Sequence, residues 1–526
     1  MTEVGIVDIF SGPGGLAEGF HPVSAGPEWP FRIAMSVEKD PAAYQTLLLR
    51  SFLRNFNGTL PAEYYDLLSG RIAAPDWSAS YPAEWHAAEN EAKYLELGNP
   101  TTSRFLARRV SEIHDAYGGN TVLIGGPPCQ AYSLAGRVRN AAIAGYLPHR
   151  DERHLLYREY IKVLELLEPA FFMMENVKGM LSASLKGERV LERVMADLRS
   201  ATRWGYRLHA LAPPSGTRPS DEISPSDFVV RAEDYGVPQS RHRVFIVGIR
   251  GDIAERLPLR VWPRLRRSQS PTVGAVIGDM PRLRSGLSRG DASEEWLVRV
   301  RDATQLLCRN PPLVPRTEVQ AYWAELKSTA VALQDRPPSS RHGNRRYSSP
   351  DCPVRLRKWL LDKRVRSLPN NETRGHMPSD LARYLFASAF AAATGRSPKA
   401  SEFPDALSPN HRNWRTGKFT DRFRVQLRDR PATTVTSHMS KDGHYYIHYD
   451  PTQCRSLTVR EAARLQTFPD NYMFQGTRTE QYVQVGNAVP PFLAHQIAKC
   501  FVRAFSHLAS QNTAEPLAAR RAAAAG

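Results

Sequence analysis

The segment TVLIGGPPCQAYS places Cys129 directly after an apolar run, on a Gly125-Gly126-Pro127-Pro128 approach that offers no stretch of core for a thiol to fill. A lone cysteine is ordinarily an inert small hydrophobe, but one held on a stiff turn past the end of a strand is a candidate nucleophile. AFFMMENVKGM sets Glu175 and Asn176 at the end of a second apolar run, so a carboxylate emerges on the same sheet edge, although a solvated strand-end glutamate reads the same way. DYGVPQSRHRVFIVG adds Gln239, Arg241 and Arg243 before a third run; alternation puts the two arginines on one face, as an ordinary surface strand would too. A thiol on a rigid loop of this kind suits nucleophilic catalysis.

A second set reads as a cofactor site. The strand IVDIF runs into SGPGGLAEGF, so Gly12, Gly14 and Gly15 sit where a strand turns into a helix and a ligand can approach the backbone. The next strand, FRIAMSVE, ends in Glu38, suited to accept hydrogen bonds from ribose hydroxyls. No Gly-Lys-Ser/Thr comes after it, which excludes a phosphate-gripping P-loop; Gly12, Gly14 and Ala17 satisfy G-x-G-x-x-A, so the turn alone leaves NAD open beside other adenosine cofactors.

The scaffold for both sets is legible in the hydrophobic pattern. VGIVDIF, FRIAMSVE, TVLIGG, AFFMMENV and HRVFIVGI are short apolar strands, and REYIKVLELLE and GERVLERVMADLRS have helical spacing between them. Such alternation predicts an α/β, doubly wound, mostly parallel sheet over residues 1–250. From 251 to 425 the chain turns Pro-, Arg- and Ser-rich without strand-helix alternation, which predicts a second, smaller domain. Regular pattern returns over 426–508 and ends in an amphipathic helix, with a frayed or disordered tail at 509–526. No internal repeat is present.

Across 526 residues, 70 Lys and Arg against 53 Asp and Glu leave a charge of +17, which makes a polyanion the first partner to consider. Five scattered cysteines suggest neither a disulfide framework nor a zinc ribbon and point to a reducing compartment. Glu3 and Asp8 stand where a signal peptide would be basic, and no run reaches about 18 apolar residues, so a cytoplasmic protein without membrane attachment is expected.

In this order, DIFSGPGG, GGPPCQAYS, ENV, QSRHR, RPATTV and GNAVPP, with SLTVREAARLQTFPDNY, resemble the DNA (cytosine-5)-methyltransferase family, over residues 4 to about 250 and about 425 to 505. The resemblance implies a Rossmann-like fold with S-adenosylmethionine in the first turn, near Phe10, Ser11, Gly12, Gly14, Gly15 and Glu38, with Pro128, Leu155 and Asn487 also at the pocket. It implies that Cys129 is the nucleophile, Glu175 the acid, and Arg243 a stabiliser supported by Arg241 and Gln239. SLAGRVRNAAIAGYLPHRDERH matches the family's catalytic loop, in which Ser133, Arg137, Arg139 and Arg150 would face DNA. The 251–425 region stands where the family keeps its target-recognition domain, and Arg341, Arg345, Arg346, Arg355, Arg357 and Lys358 supply charge there. Expected partners are double-stranded DNA and a cognate restriction nuclease or other defence proteins, with a monomer as default and association with the nucleoid.

An insert at about Asn55–Arg108 exceeds the family's minimum and reads as an extra DNA- or partner-binding element. It leaves Ser111 and Glu112 as candidates for the cofactor residue found after the third strand. His438, His444, His448 and Cys454 fit no standard zinc spacing, and the aromatic alternation around them predicts a strand. Rival readings are RNA methylation by the same chemistry, a DNA-binding relative without catalysis, and an NAD-dependent oxidoreductase. The set Cys129, Glu175 and Arg243 argues against the second, and the third lacks assigned hydride-transfer residues and has no use for Cys129.

Overall fold

The computed structural model describes residues 3–26, 28–128, 156–185, 188–213, 223–343, 349–409, 414 and 422–523. Its centre is an eight-stranded sheet of β1 (Val4–Ile9), β2 (Phe31–Glu38), β3 (Ala92–Tyr94), β4 (Thr121–Gly125), β5 (Phe171–Val177), β6 (Tyr206–Ala210), β7 (Val229–Arg231) and β8 (His242–Arg250). The order is β3-β2-β1-β4-β5-β8-β6, with β7 also on β8. Pairing is parallel from β3 to β5; β8 runs antiparallel to β5, β6 and β7. All residues of β1 and β4 are buried, as continuous apolar runs in a parallel sheet require.

Helices cover both faces. On one, α1 (Gly15–Phe20) lies with α11 (Pro491–Ala523), joining Phe20, Phe31, Phe171, Phe501 and Phe505 in one core. On the other, α3 (Pro100–Tyr117), α4 (Leu156–Leu167) and α5 (Val190–Ser200) pack Val110, Leu164 and Leu198 against Ile9, Leu123 and Phe172. Helix α11 continues to Ala523, into the Ala-rich stretch expected to fray; alanine is the strongest helix former.

Between α2 (Pro41–Arg54) and β3 the insert forms the helices Ala62–Leu68, Trp77–Ser80 and Pro82–Glu91. Phe52 of α2 meets Trp77 and Trp85 at ring-centroid distances of 5.2 and 5.6 Å, so the insert is an aromatic cap on α2. It ends at Glu91, where the chain enters the third strand and then its crossover helix. Ser111 and Glu112 therefore lie late in α3, exposed and more than two turns past its start; the residues directly after the third strand are Leu95 and Glu96.

The region after 250 is helical. α6 (Ser293–Arg309), α7 (Arg316–Asp335) and α8 (Pro378–Thr394) share a separate core with Leu287, Phe403, Phe423 and Ile447. The chain then returns through α9 (Val459–Leu465) and α10 (Arg478–Asn487) to α11. No helix of the described residues is long and apolar enough to cross a membrane.

The aromatic stretch near His444 is a correction. It forms a single turn at His444–Tyr446, preceded by Gly443 at φ 77°, and only Ile447 makes isolated bridges, to Val425 and Ser456. The left-handed glycine turns the chain before alternation can extend into a ladder.

Candidate active site

Both sequence sets leave the sheet at one place. β1 is hydrogen-bonded between β2 and β4, with Ile9 opposite both Val37 and Gly125, so the glycine turn after β1 and the Pro-Pro turn after β4 emerge side by side. This is the topological switch point, where open α/β sheets bind ligands.

The glycine turn is held by backbone geometry. Phe10 and Gly12 have φ of 58° and 57°, an unusual conformation for an aromatic residue and a common one for glycine. Open space lies where a Cβ of Gly12 would project, among the described residues. At Gly14 and Gly15 the missing Cβ makes room for protein instead: one at Gly14 would lie 2.9 Å from Leu47, and one at Gly15 2.5 Å from the Val489 carbonyl. Ser11 donates to the Asp8 carbonyl at 2.9 Å. The Glu38 carboxylate accepts from the backbone N–H groups of Gly12, Lys39 and Asp40 at 2.7, 2.8 and 2.7 Å. Burial pushes its pKa up, and those hydrogen bonds oppose the shift. A fixed acceptor beside an open glycine suits a ribose hydroxyl, so these residues fit an adenosine-bearing group.

Asn487 stands exposed at the end of α10, pinned from both sides. The preceding Gly486 carbonyl accepts from Arg241 Nη1 at 3.3 Å, and the following Ala488 carbonyl accepts from Gln466 Nε2 at 2.8 Å. Ala488 and Val489 lie against Gly15, which brings Asn487 to the glycine turn.

On the other side of the switch point, Glu175 and Arg243 meet. Antiparallel pairing puts the start of β8 at the end of β5, with Phe245 opposite Glu175 and Arg243 opposite Val177. Arg243 Nε is 3.1 Å from Glu175 Oε1. Burial pulls the Arg243 pKa down, and the Glu175 carboxylate counters it. The second oxygen faces the Gly126-Pro127-Pro128 turn: a Cβ at Gly126 would lie 2.9 Å from Glu175 Oε2. Asn176, buried, donates from Nδ2 to the Pro127 carbonyl at 3.3 Å and accepts from Val177 N at 2.7 Å. It ties the ENV strand to the Pro-Pro turn; the sequence shows it beside Glu175, but not its reach across to Pro127.

Gln239 and Arg241 work at a distance from this pair. Gln239 Nε2 donates to the Leu465 carbonyl at 3.0 Å and to the Gln466 side chain, and its Oε1 accepts from Val435 N at 3.0 Å. Arg241 Nη1 donates to the Val435 carbonyl at 2.8 Å. Burial, with Arg243 nearby, lowers the Arg241 pKa to about 9, so it stays charged at neutral pH. Both residues fasten the β8 strand to the segment that carries Asn487. Gln466 completes this clasp and went unrecognised because its partners are remote in sequence.

Cys129, Ser133, Arg137, Arg139, Arg150, Leu155, Arg345 and Arg346 lie outside the described residues; Pro128, half-buried, ends the described part of the β4 turn. Arg341 is committed to ion pairs with Asp291 at 2.8 Å and Glu372 at 3.2 Å, so its charge is spent within the fold. Arg355 and Lys358 are exposed on the helix Val354–Leu360, and Arg357 is half-buried there. Among the described residues no group of three or more His, Cys, Asp or Glu is arranged to hold a metal ion. His444 bonds Tyr384 at 2.7 Å, His448 accepts from Asp450 N at 3.1 Å, and Cys454 donates to the Pro451 carbonyl.

Residues 111–300 and 353–503 match the model of the family described as C-5 cytosine-specific DNA methylase. Over 510 residues the chain is 32% identical to the Type II methyltransferase M.Bpa9945I of Bacillus paralicheniformis, covering 94% of this chain and 97% of that one. It is 27% identical over 389 residues to M.DdeI of Desulfomicrobium norvegicum, covering 72% and 71% of the two chains. With M.AgeI of Thalassovita gelatinovora it shares 29% over 410 residues, covering 73% and 83%.

Proposed function

The chain belongs to the C-5 cytosine-specific DNA methylase family, and from that premise we propose that it methylates a cytosine turned out of duplex DNA through a covalent bond to Cys129. It is a DNA (cytosine-5)-methyltransferase of the type II restriction-modification kind. The observation that carries the mechanism is the Glu175–Arg243 pair, with the second Glu175 oxygen turned to the Gly126 turn that leads to Cys129.

S-adenosylmethionine, when bound at Gly12, Glu38 and Asn487, supplies an electrophilic methyl group. Every other step falls to the chain and the base. The Cys129 thiolate bonds to carbon 6, and the electrons of the ring double bond move to carbon 5, which is otherwise a weak nucleophile. Glu175, in its protonated form, donates a hydrogen bond to N3 of the ring while charge moves into it, and Arg243 keeps that carboxyl in place. Carbon 5 takes the methyl group and then loses its proton, and the returning electrons break the bond to Cys129. The net change is one methyl group gained by the base and one proton released. Turning the base out costs a few kcal/mol, which DNA contacts must offset. The helical region of α6 to α8 lies within 251–425 and is the target-recognition unit in this reading. The enzyme works as a monomer in the bacterial cytoplasm, marking self DNA beside a cognate restriction nuclease.

The test is to sequence cytosine methylation in genomic DNA of a methylation-free host expressing the wild type or Cys129→Ser. A recurrent methylated motif with the wild type alone is expected. Equal methylation by both proteins would exclude Cys129 as nucleophile.

A further inference from the structure

Away from this site, three segments remote in sequence gather six exposed cations on one flank of the sheet. Leu265 is buried, and its N–H is bonded to the Leu211 carbonyl at 2.9 Å; this anchors a loop whose Arg264, Arg266 and Arg267 are exposed. The loop rests on α11: the Arg264 carbonyl accepts from Arg503 Nη2 at 3.5 Å and from Cys500 Sγ at 3.1 Å. Lys499 and Arg503, one helical turn apart, are exposed there. The helix Val354–Leu360 is brought alongside by Trp359, whose ring stacks on His495 of α11 at 4.8 Å, and it carries the exposed Arg355. The charges feel one another: burial and Arg355 both lower the Lys499 pKa, and Arg266 and Arg503 both act on Cys500.

Like charges a helical turn apart destabilise a helix by a few tenths of a kcal/mol, yet among the described residues none of these six is ion-paired with a carboxylate. A fold that holds such a set together presents a concentrated positive potential to solvent. Duplex DNA, with one charge per about 1.7 Å of axis, is the partner whose charge density matches it.

We propose that this flank binds the phosphate backbone of duplex DNA outside the catalytic cleft, on a stretch adjoining the target. The contact adds affinity without sequence choice. It rests on the reading of DNA as the substrate, but it is measured by binding rather than by methyl transfer.

Two double variants test it: Lys499→Glu with Arg503→Glu on the helix, and Arg266→Gln with Arg267→Gln on the loop, which leaves the helix untouched. The slope of log affinity against log salt is measured on a 40-base-pair duplex. Each variant should lose about 0.9 of slope per phosphate contact, so that wild-type affinity falls about tenfold more than variant affinity between 50 and 200 mM salt if both contacts are lost. KM for long DNA should rise, with kcat at saturating DNA and cofactor affinity unchanged. Unchanged slope and KM in both variants, an equal loss on a duplex too short to leave the cleft, or a loss confined to an RNA duplex of the same length would each overturn the assignment. A wild type that binds through this flank yet transfers no methyl group would refute the catalytic reading and leave this one standing.

Discussion

Replacing Asn176 tests whether the ENV strand positions the nucleophile turn. Its Nδ2 reaches the Pro127 carbonyl at 3.3 Å, two residues before Cys129, and its Oδ1 accepts from Val177 N at 2.7 Å. Asn176→Ala removes both bonds at a site only 3% exposed. A buried polar group left without its partner costs about 1–3 kcal/mol. If about 2 kcal/mol of this appears as a turn less well held in its reactive geometry, kcat falls about 30-fold. Asn176→Asp keeps the acceptor for Val177 and loses only the donor to Pro127, so it should share the loss in kcat. Single-turnover methyl transfer gives the rate, cofactor titration gives the affinity, and a thermal scan reports stability. The expected pattern is a kcat loss in both variants with cofactor affinity unchanged. Variants that remain folded with kcat within about twofold of wild type would refute a positioning role.

Other measurements probe the cofactor side. Glu38→Gln should raise KM for S-adenosylmethionine with less effect on kcat; an unchanged KM would place the ribose elsewhere. In Gly486→Ala the new Cβ would overlap the backbone at Thr436 and Ser437, so Asn487 should shift and cofactor affinity drop, read by isothermal titration. Asp8 is fully buried, and burial raises its pKa to about 8 from 3.8 against the opposing pull of Arg54. Between those values the unfolded chain has released the proton that the folded chain retains, so Asp8 lowers stability as pH rises through this window, by up to ~1.4 kcal/mol per pH unit. Asp8→Asn should therefore gain in melting temperature over wild type more at pH 7.5 than at pH 5; a difference independent of pH would contradict the buried neutral carboxyl.

How far the sequence could be read depended on which forces shaped each segment. Strands β1 and β4 were legible because burial on both faces leaves nearly continuous apolar runs, and β2, β5 and β8 because most of their residues are buried and apolar. β6, YRLHA, was not, since its Arg207 and His209 break the run, and the three residues of β3 are too few to carry a signal. Helix α7 hides its periodicity because Trp323 and Val331 are apolar yet exposed. In the site, Glu175, Arg243 and Glu38 could be named because each ends or begins a strand. Gln239 and Arg241 could be named as well, but Gln466 and the clasp the three form could not, because its geometry exists only once segments about 200 residues apart are folded together.

The pairing of α1 with α11 also bears on how the enzyme is made. His495 Nδ1 lies 3.0 Å from the Gly19 carbonyl, across 476 residues of chain. At roughly 5–20 residues per second, a ribosome needs on the order of a minute to travel that distance. For that time the inner face of α1 has no cover and Gly15 has no Val489 to rest against. Residues made early thus belong to a contact that forms late, and a nascent chain should carry no ordered glycine turn until α11 leaves the ribosome.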